Sequence, residues 1–134
     1  MKIEFVVYGN PQGKQRPRFS KRSSSIYTPA KTRSYERQIA KAYTTAANGY
    51  SFGDKPVEIW ITAVMPKAKT SRKKYPTIKP DIDNIQKAVF DGLNGLAYND
   101  DKQILAAVIQ KCFCMFEYEK PRILVTVKEY KGNE

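Results

Sequence analysis

The sequence predicts an α+β fold in which helices cover one face of a mixed four-stranded sheet. Three observations lead to this expectation: four β-rich runs, two segments with apolar residues at helical spacing, and the order of these segments in the chain. The order is strand, helix, strand, helix, strand, strand. At 134 residues the chain is long enough to bury a core of its own, so we expect one domain spanning residues 1–134.

Apolar periodicity indicates the first three elements. Alternation in "KIEFVVYG" and again in "PVEIWITAVMP" is typical of half-buried strands. Between them, "RSYERQIAKAYTTAANG" has apolar residues at intervals of four and predicts a helix that ends at Asn48–Gly49. The residues that form these patterns are Ile3, Phe5 and Val7, then Tyr35, Ile39 and Tyr43, then Val57, Ile59, Ile61, Ala63 and Met65.

The second helix and the last two strands follow. In "DIDNIQKAVFDGLNGL" an apolar stripe recurs at intervals of three and four, which predicts a helix packed on the sheet. Its members are Ile82, Ile85, Val89, Leu93 and Leu96. The runs "KQILAAVIQKCFCMF" and "RILVTVKEY" are separated only by "EYEKP", so we interpret them as an antiparallel hairpin.

Positive charge is concentrated in the first part of the chain. The whole chain carries +11, whereas residues 1–80 contain 17 lysines and arginines against 4 acids. A surplus of this size usually indicates a polyanionic partner, above all nucleic acid, although an anionic membrane or an acidic protein also fits the charge. Two basic segments, 9–32 and 66–80, are rich in Gly, Pro or Ser and are expected to be loops.

Several classes of protein are excluded or disfavoured. The longest apolar run is the six residues 104–109, too short to cross a membrane. Cys112 and Cys114 are two apart in a predicted strand, where they do not easily pair, so a reduced cytoplasmic protein is expected. The glycine-rich start of the first loop departs from a phosphate-binding loop in its spacing and in having Gln15 where Ser or Thr is needed, so no nucleotide cofactor is expected.

Acidic residues are gathered in one stretch, "KPDIDNIQKAVFDGLNGLAYNDD", which holds five of the six aspartates. Asp81 is expected at or near the N-cap of the second helix and Asp83 in its first turn, where helix capping by itself explains them. Asp100 and Asp101 follow the helix, and a solvated turn is the ordinary explanation of that pair. Capping gives no reason for both groups, however, and convergent carboxylates repel each other unless a cation joins them.

The available side chains narrow the chemistry. Because the chain has no histidine, His-based nucleophiles, His-ligated zinc and His acid–base catalysis are impossible. Aspartates suit Mg²⁺ or Mn²⁺, which together with a basic surface is typical of phosphodiester hydrolysis. Lys87 has two interpretations that we leave open here: contact with the phosphate or leaving group, or a helical ion pair with Asp83 or Asp91.

The basic loops supply candidate DNA contacts. We expect backbone contacts from Lys14, Arg16 and Arg18 in the first loop, with a plain solvated loop as the alternative. The second loop precedes the acidic helix and can deliver a phosphate to it, and its Tyr75 can stack on an unpaired base. Its candidate DNA-binding residues are Lys69, Arg72, Lys73, Lys74 and Lys79.

The acidic segment resembles the RusA family of Holliday junction resolvases, which prophages often encode. The resemblance is carried by "DIDNIQKAVFDGL" and "NDDKQI", and it is close over residues 79–103. It implies a homodimer that cuts four-way DNA junctions symmetrically with Mg²⁺, in recombination and repair. By the same resemblance Asp81, Asp83 and Asp101 match essential metal-binding aspartates, Asp100 the acid beside the last of them, and Lys87 a lysine important for cleavage.

Two other functions compete with the nuclease. A noncatalytic basic nucleic-acid-binding module explains the charge but leaves the four aspartates without a role. An interaction protein that recruits acidic partners through its basic loops is the other alternative. The base preference at the cut site and the number of metals per site are not predicted by the sequence.

Overall fold

The computed structural model describes residues 1–132, which form two sheets and two α-helices. The elements in chain order are β1 (Lys2–Tyr8), β2 (Arg18–Ser20), β3 (Ser25–Tyr27), α1 (Ala30–Ala47), β4 (Val57–Met65), α2 (Ile82–Leu93), a 3₁₀ turn (Asp101–Gln103), β5 (Ile104–Phe113) and β6 (Arg122–Glu129). The larger sheet has the strand order β1-β6-β4-β5. The predicted α+β fold with a mixed four-stranded sheet is therefore confirmed.

The predicted hairpin between the last two strands is wrong. β6 pairs antiparallel with both β1 and β4, and β5 pairs parallel with β4 on the other side. The local pattern of two β-rich runs with a short separator did not decide the pairing, because α2 connects β4 to β5 as a crossover and such a connection joins parallel strands. β6 then fills the centre of the sheet, where Ile123, Val125 and Val127 are buried.

Both helices lie on one face of the sheet and close a common core. The inward residues expected in β1 and β4 are all buried, as are Tyr35, Ile39 and Tyr43 of α1. In α2, Ile85, Val89 and Leu93 are buried, which confirms the middle of the predicted stripe. Its ends differ: Ile82 is 46 % exposed, and Leu96 lies beyond the end of the helix.

The two helices contact each other closely at Gly92. A Cβ at this position would lie 3.0 Å from the Cβ of Ile39, so only glycine allows α1 and α2 to approach this far. α1 begins at Ala30, three residues before the predicted start, and ends at Ala47; its C-cap, Asn48, has the left-handed conformation expected of a helix stop.

The first predicted loop contains a short β-ribbon that the sequence did not indicate. β2 and β3 pair antiparallel, with Arg18 opposite Tyr27. Three-residue strands are too short to show a period of two, which explains why the segment was expected to be irregular.

Candidate nucleic-acid interface and carboxylate site

Asp81 and Asp83 lie at the start of α2 with their carboxylates exposed. Asp81 is the N-cap residue, as predicted, but its side chain accepts no capping hydrogen bond. Within residues 1–132 neither carboxylate has an ion pair or hydrogen bond. Asp83 keeps the first-turn position that the helix dipole favours, but no capping hydrogen bond occupies either carboxylate, and both are free to bind a ligand.

The first basic loop packs against the start of α2. The backbone N–H of Lys14 donates to the carbonyl of Asn84 at 2.9 Å. A Cβ on Gly13 would lie 2.9 Å from the Cβ of Asn84 and 3.0 Å from that of Pro80, so glycine is required for this approach. The glycine-rich stretch thus serves to bring a basic segment alongside the two acids.

A cleft of about 770 Å³ lies between this loop and the start of α2. Three lysines line it, Lys14, Lys31 and Lys79, together with Asp81 and Asn84. Lys31 belongs to the first turn of α1 and Lys79 to the second basic loop. Lysines from three parts of the chain therefore line the cleft that Asp81 also lines, an arrangement that suits a phosphate with a bound cation.

Lys111 fixes the segment that leads into α2. It lies near the end of β5, and its Nζ donates to the carbonyl oxygens of Ile78 and Pro80 at 2.5 and 3.0 Å. These two bonds connect the edge of the sheet to the residues directly before Asp81. The sequence reasoning missed Lys111, although a cation between Ile109 and Phe113, at an inward-facing strand position, was the available signal.

Lys14 is held between two carboxylates. Its Nζ lies 2.8 Å from Glu36 Oε2 of α1 and 2.9 Å from Asp91 Oδ2 of α2. Burial by itself lowers the pKa of Lys14, but the hydrogen bonds and charges of Glu36 and Asp91 outweigh it and raise that pKa. The ammonium is thus already paired in the structure, and its contact with DNA stays a prediction.

Asp100 and Asp101 have different surroundings. Asp100 caps the 3₁₀ turn: Oδ1 accepts the N–H of Lys102 at 3.0 Å, while Gln103 Oε1 accepts the N–H of Asp100 at 2.8 Å. The capping explanation, expected for Asp81, therefore applies to Asp100. Within residues 1–132 the one hydrogen bond of the Asp101 carboxylate is that which its Oδ1 accepts from the Tyr98 hydroxyl at 3.2 Å, so its other oxygen is free.

Asp101 lies near two other acids. Burial raises the pKa of Asp101, and the charges of Asp91 and Asp100 raise it further against the lowering effect of the Tyr98 hydrogen bond. Tyr98 is fully buried and its hydroxyl also lies 3.1 Å from the carbonyl oxygen of Phe90. A cation bound here would relieve the repulsion among these carboxylates.

The acids are spread along α2. Asp83 and Asp91 are eight residues apart, about 12 Å along the helix axis, and the charges that act on Asp101 are those of Asp91 and Asp100. In the part of the chain that the structure describes, no group of three or more acidic or cysteine side chains is arranged to hold a metal ion. Asp81 and Asp83 nevertheless fit Mg²⁺, which needs only one or two carboxylates besides water and phosphate oxygens.

Lys87 lies on α2 between Asp83 and Asp91, one helical turn from each. Its side chain is exposed, and within residues 1–132 it forms no ion pair with either acid. Asp91 pairs with Lys14 instead. The helical ion pair, one of the two interpretations of Lys87, is therefore absent from the described structure.

The other predicted DNA contacts are exposed. They lie in two groups, Arg16 and Arg18 at the β2–β3 ribbon, and Lys69, Arg72, Lys73, Lys74 and Lys79 in the loop before α2. Tyr75 is 66 % exposed, with the Lys74 ammonium 5.5 Å from the centre of its ring. Arg16 directly follows Gln15, which lines the cleft, and Lys79 lines it as well. The two groups therefore extend the positive surface around the cleft.

This α+β fold, with free carboxylates and exposed cations around one cleft, is typical of a nuclease. The chain belongs to the RusA endodeoxyribonuclease family, whose model, described as Endodeoxyribonuclease RusA, matches residues 8–128. It is also similar to the uncharacterized protein YqaN of Bacillus subtilis (strain 168), at 33 % identity over 140 residues, covering 95 % of this chain and 96 % of the relative. Among the helices of residues 1–132, none is long and apolar enough to span a membrane.

Proposed function

We propose that this protein is a Mg²⁺-dependent endonuclease that resolves four-way DNA junctions, in recombination and repair, by paired symmetric hydrolysis of phosphodiesters. Family membership supports endonuclease activity. The observation that carries the finer proposal is the pair of uncapped carboxylates, Asp81 and Asp83, beside the cleft lined by Lys14, Lys31 and Lys79. Mn²⁺ has the same ligand preference and is expected to substitute for Mg²⁺.

The residues around the cleft have separable roles in this proposal. Lys31 and Lys79 attract the scissile phosphate, and Asp81 and Asp83 bind Mg²⁺. The bound ion would activate water and neutralise charge on the phosphate. Lys87, exposed one turn along α2 and free of an ion pair within the described residues, is available to stabilise the leaving oxygen.

We further propose that the active form is a homodimer. A four-way junction offers two equivalent phosphodiesters, and a closed two-fold dimer presents two equivalent sites. A dimer also allows a second chain to complete the site, since no three acidic side chains within the described residues of one chain are arranged to hold a metal ion.

The direct test is cleavage of a synthetic four-way junction with each strand labelled in turn. We expect two symmetric cuts in Mg²⁺, none in EDTA, and none for Asp83→Asn in Mg²⁺. Binding without cutting in both Mg²⁺ and Mn²⁺ would favour a noncatalytic DNA-binding module. Absence of DNA binding would favour an interaction protein with acidic partners.

A further inference from the structure

An exposed apolar tip projects from the connection between β5 and β6. We define the aromatic tip as Met115, Phe116 and Tyr118, whose side chains are 81 %, 54 % and 79 % exposed. The rings of Phe116 and Tyr118 stack on each other, with centroids 5.3 Å apart and planes 4° from parallel. Each ring therefore covers one face of its neighbour and leaves its own outer face open to a third planar group.

The tip is held in place by its own hydrogen bonds. Glu119 Oε2 accepts the backbone N–H of Met115 at 2.5 Å, and the N–H of Glu119 donates to the carbonyl of Phe116 at 3.0 Å. Glu119 Oε1 is also 3.4 Å from the guanidinium of Arg122. Arg122 balances the charge of Glu119. The hydrogen bonds of Glu119 to Met115 and Phe116 order the backbone that carries the two rings before any partner binds.

The tip lies at the end of the sheet where α2 begins. The N–H of Cys114 donates to the carbonyl of Met65, so the connection leaves the sheet beside the end of β4. Lys111, five residues before Phe116, bonds to the carbonyls of Ile78 and Pro80. The tip therefore follows the end of β5 that Lys111 connects to the residues directly before Asp81.

Cations flank the tip. A cleft of about 880 Å³ separates it from the second basic loop, with Lys67, Lys69 and Ser71 on one wall and Met115, Phe116, Glu117 and Glu119 on the other. Glu119 is paired with Arg122. Residues 66–80 contain six lysines and arginines and no acid. The lysines of the cleft offer no favourable contact to an apolar protein segment. A nucleotide, by contrast, has a phosphate that can pair with the lysines and a flat base that can stack on the rings.

We propose that the aromatic tip stacks on an unpaired base at the branch point of the DNA, with Lys67 and Lys69 on the adjoining phosphate. The assignment rests on the proposed junction-resolving function, since a branch point is where bases lose a stacking neighbour. Tyr118 presents the more exposed ring and provides the outer stacking face. The tip then distinguishes branched DNA from a continuous duplex, in which no base is free to stack.

The test uses full-length protein in EDTA, in which the proposed Mg²⁺-dependent cleavage cannot proceed, with 2-aminopurine placed at the branch point of a four-way junction. We expect Tyr118→Ala to weaken junction binding about 5- to 100-fold, the range for loss of one stacked base, and to abolish the fluorescence change of the probe. Affinity for a linear duplex of the same sequence should stay within about twofold. Tyr118→Trp, which keeps a ring, should retain both signals.

Leu105→Ala is the control, because it removes an apolar side chain, 58 % exposed, that lies on β5 outside the aromatic tip. An equal loss for Leu105→Ala and Tyr118→Ala, or an equal loss for junction and duplex, would overturn the proposal. A change from dimer to monomer on sedimentation of Tyr118→Ala would overturn it in favour of contact between chains.

A duplex with one bulged 2-aminopurine separates this proposal from the proposed function. A Tyr118-dependent fluorescence change on the bulge supports the stacking role even if wild type neither prefers nor cuts a junction. No such change on either probe refutes the stacking role even if wild type cuts junctions normally.

Discussion

At the residue scale, the two acids before and inside the first turn of α2 differ from the acids that follow the helix. Asp81 and Asp83 have no partner within residues 1–132, whereas Asp100 caps a 3₁₀ turn and Asp101 contacts Tyr98. The carboxylates of Asp81 and Asp83 are unpaired, and a lysine-lined cleft adjoins the start of the helix. This arrangement is more consistent with ligand binding than with capping by hydrogen bonds.

Each aspartate-to-asparagine change at positions 81, 83 and 101 should abolish cleavage and keep or tighten DNA binding. The loss of one metal-ligating oxygen charge should slow cleavage by about 100-fold or more, since bound metal supplies several kcal/mol at the transition state. Binding should hold because each change removes a negative charge near phosphate. Single-turnover cleavage and gel-shift affinity measure the two effects. Wild-type cleavage by a variant would remove that residue from the site.

Asp100→Asn gives an internal comparison with Asp101→Asn. Asparagine keeps an oxygen that can accept the Lys102 N–H, so the cap should survive. We expect a smaller cleavage defect for Asp100→Asn than for Asp101→Asn, because Asp100 already serves as the cap of the 3₁₀ turn. The reverse ranking in the same single-turnover assay would make Asp100 the metal ligand.

Lys111→Met should lower the cleavage rate without a matching loss of affinity. Without the two bonds to Ile78 and Pro80, the residues before Asp81 can shift, and a displacement of about 1 Å can cost about 100-fold in rate. Lys111→Arg should restore part of the rate, because the guanidinium can donate to the same carbonyls. Lys128→Met, an equal change of charge on the opposite sheet face, is the control. Equal defects in both variants would indicate a general effect of charge.

At the scale of elements, the first basic loop and α2 form one unit through Gly13. The loop donates a backbone hydrogen bond to α2, and Lys14 joins the loop to both helices. The position of the cleft thus depends on the close approach of the Gly13 backbone to Asn84 and Pro80, which leaves no room for a Cβ at position 13.

Gly13→Ala should destabilise the protein by about 1–3 kcal/mol, as over-packing does, and should also weaken DNA binding. The added methyl would meet Asn84 and Pro80, neither of which is the end of a flexible side chain. Chemical denaturation and junction affinity report the two effects. Thr45→Ala, at an exposed position of α1 outside the cleft lining, should neither destabilise the protein nor weaken binding. Full affinity in a destabilised Gly13→Ala protein would separate the loop from the DNA.

The two basic segments should determine how binding depends on salt. If about six phosphates are neutralised on duplex arms, the slope of log affinity against log salt should be near −5. Replacing Arg16 and Arg18 with alanine should weaken binding to every sequence and make the slope shallower by about 2. Fluorescence anisotropy over a salt series measures both slopes. An unchanged slope would place the DNA away from the β2–β3 ribbon.

At the scale of the whole molecule, each chain supplies one pair of carboxylates, Asp81 and Asp83, whereas resolving a junction requires two cuts. A dimer of wild-type and Asp83→Asn chains should therefore nick a supercoiled cruciform plasmid once per binding event and rarely release linear product. Single-turnover cleavage separates nicked circles from linear DNA. Linear product at the wild-type level, or a monomer that resolves junctions, would refute one site per strand.

Mixing two inactive proteins extends this experiment. If Asp83 of one chain works with Asp101 of the other, a mixed dimer of Asp83→Asn and Asp101→Asn chains retains one intact site and nicks. We expect this nicking, because one chain does not gather the acids within its described residues. An inactive mixture, with dimers verified by sedimentation, would place all the acids of a site in one chain.

The sequence by itself determined the mixed sheet, the two helices, the inward faces of β1 and β4, and the positions of Asp81 and Asp83 at the start of α2. These features follow from apolar periodicity and helix-start signals, which act between residues close in the chain. The tertiary structure decided what depends on distant contacts. β6 lies between β1 and β4 because the α2 crossover makes β5 parallel to β4. Lys14 pairs with Glu36 and Asp91, and Lys111 holds Ile78 and Pro80, only because packing brings separate elements together. No local pattern encodes such contacts, since their partners are set by the approach of whole helices and strands.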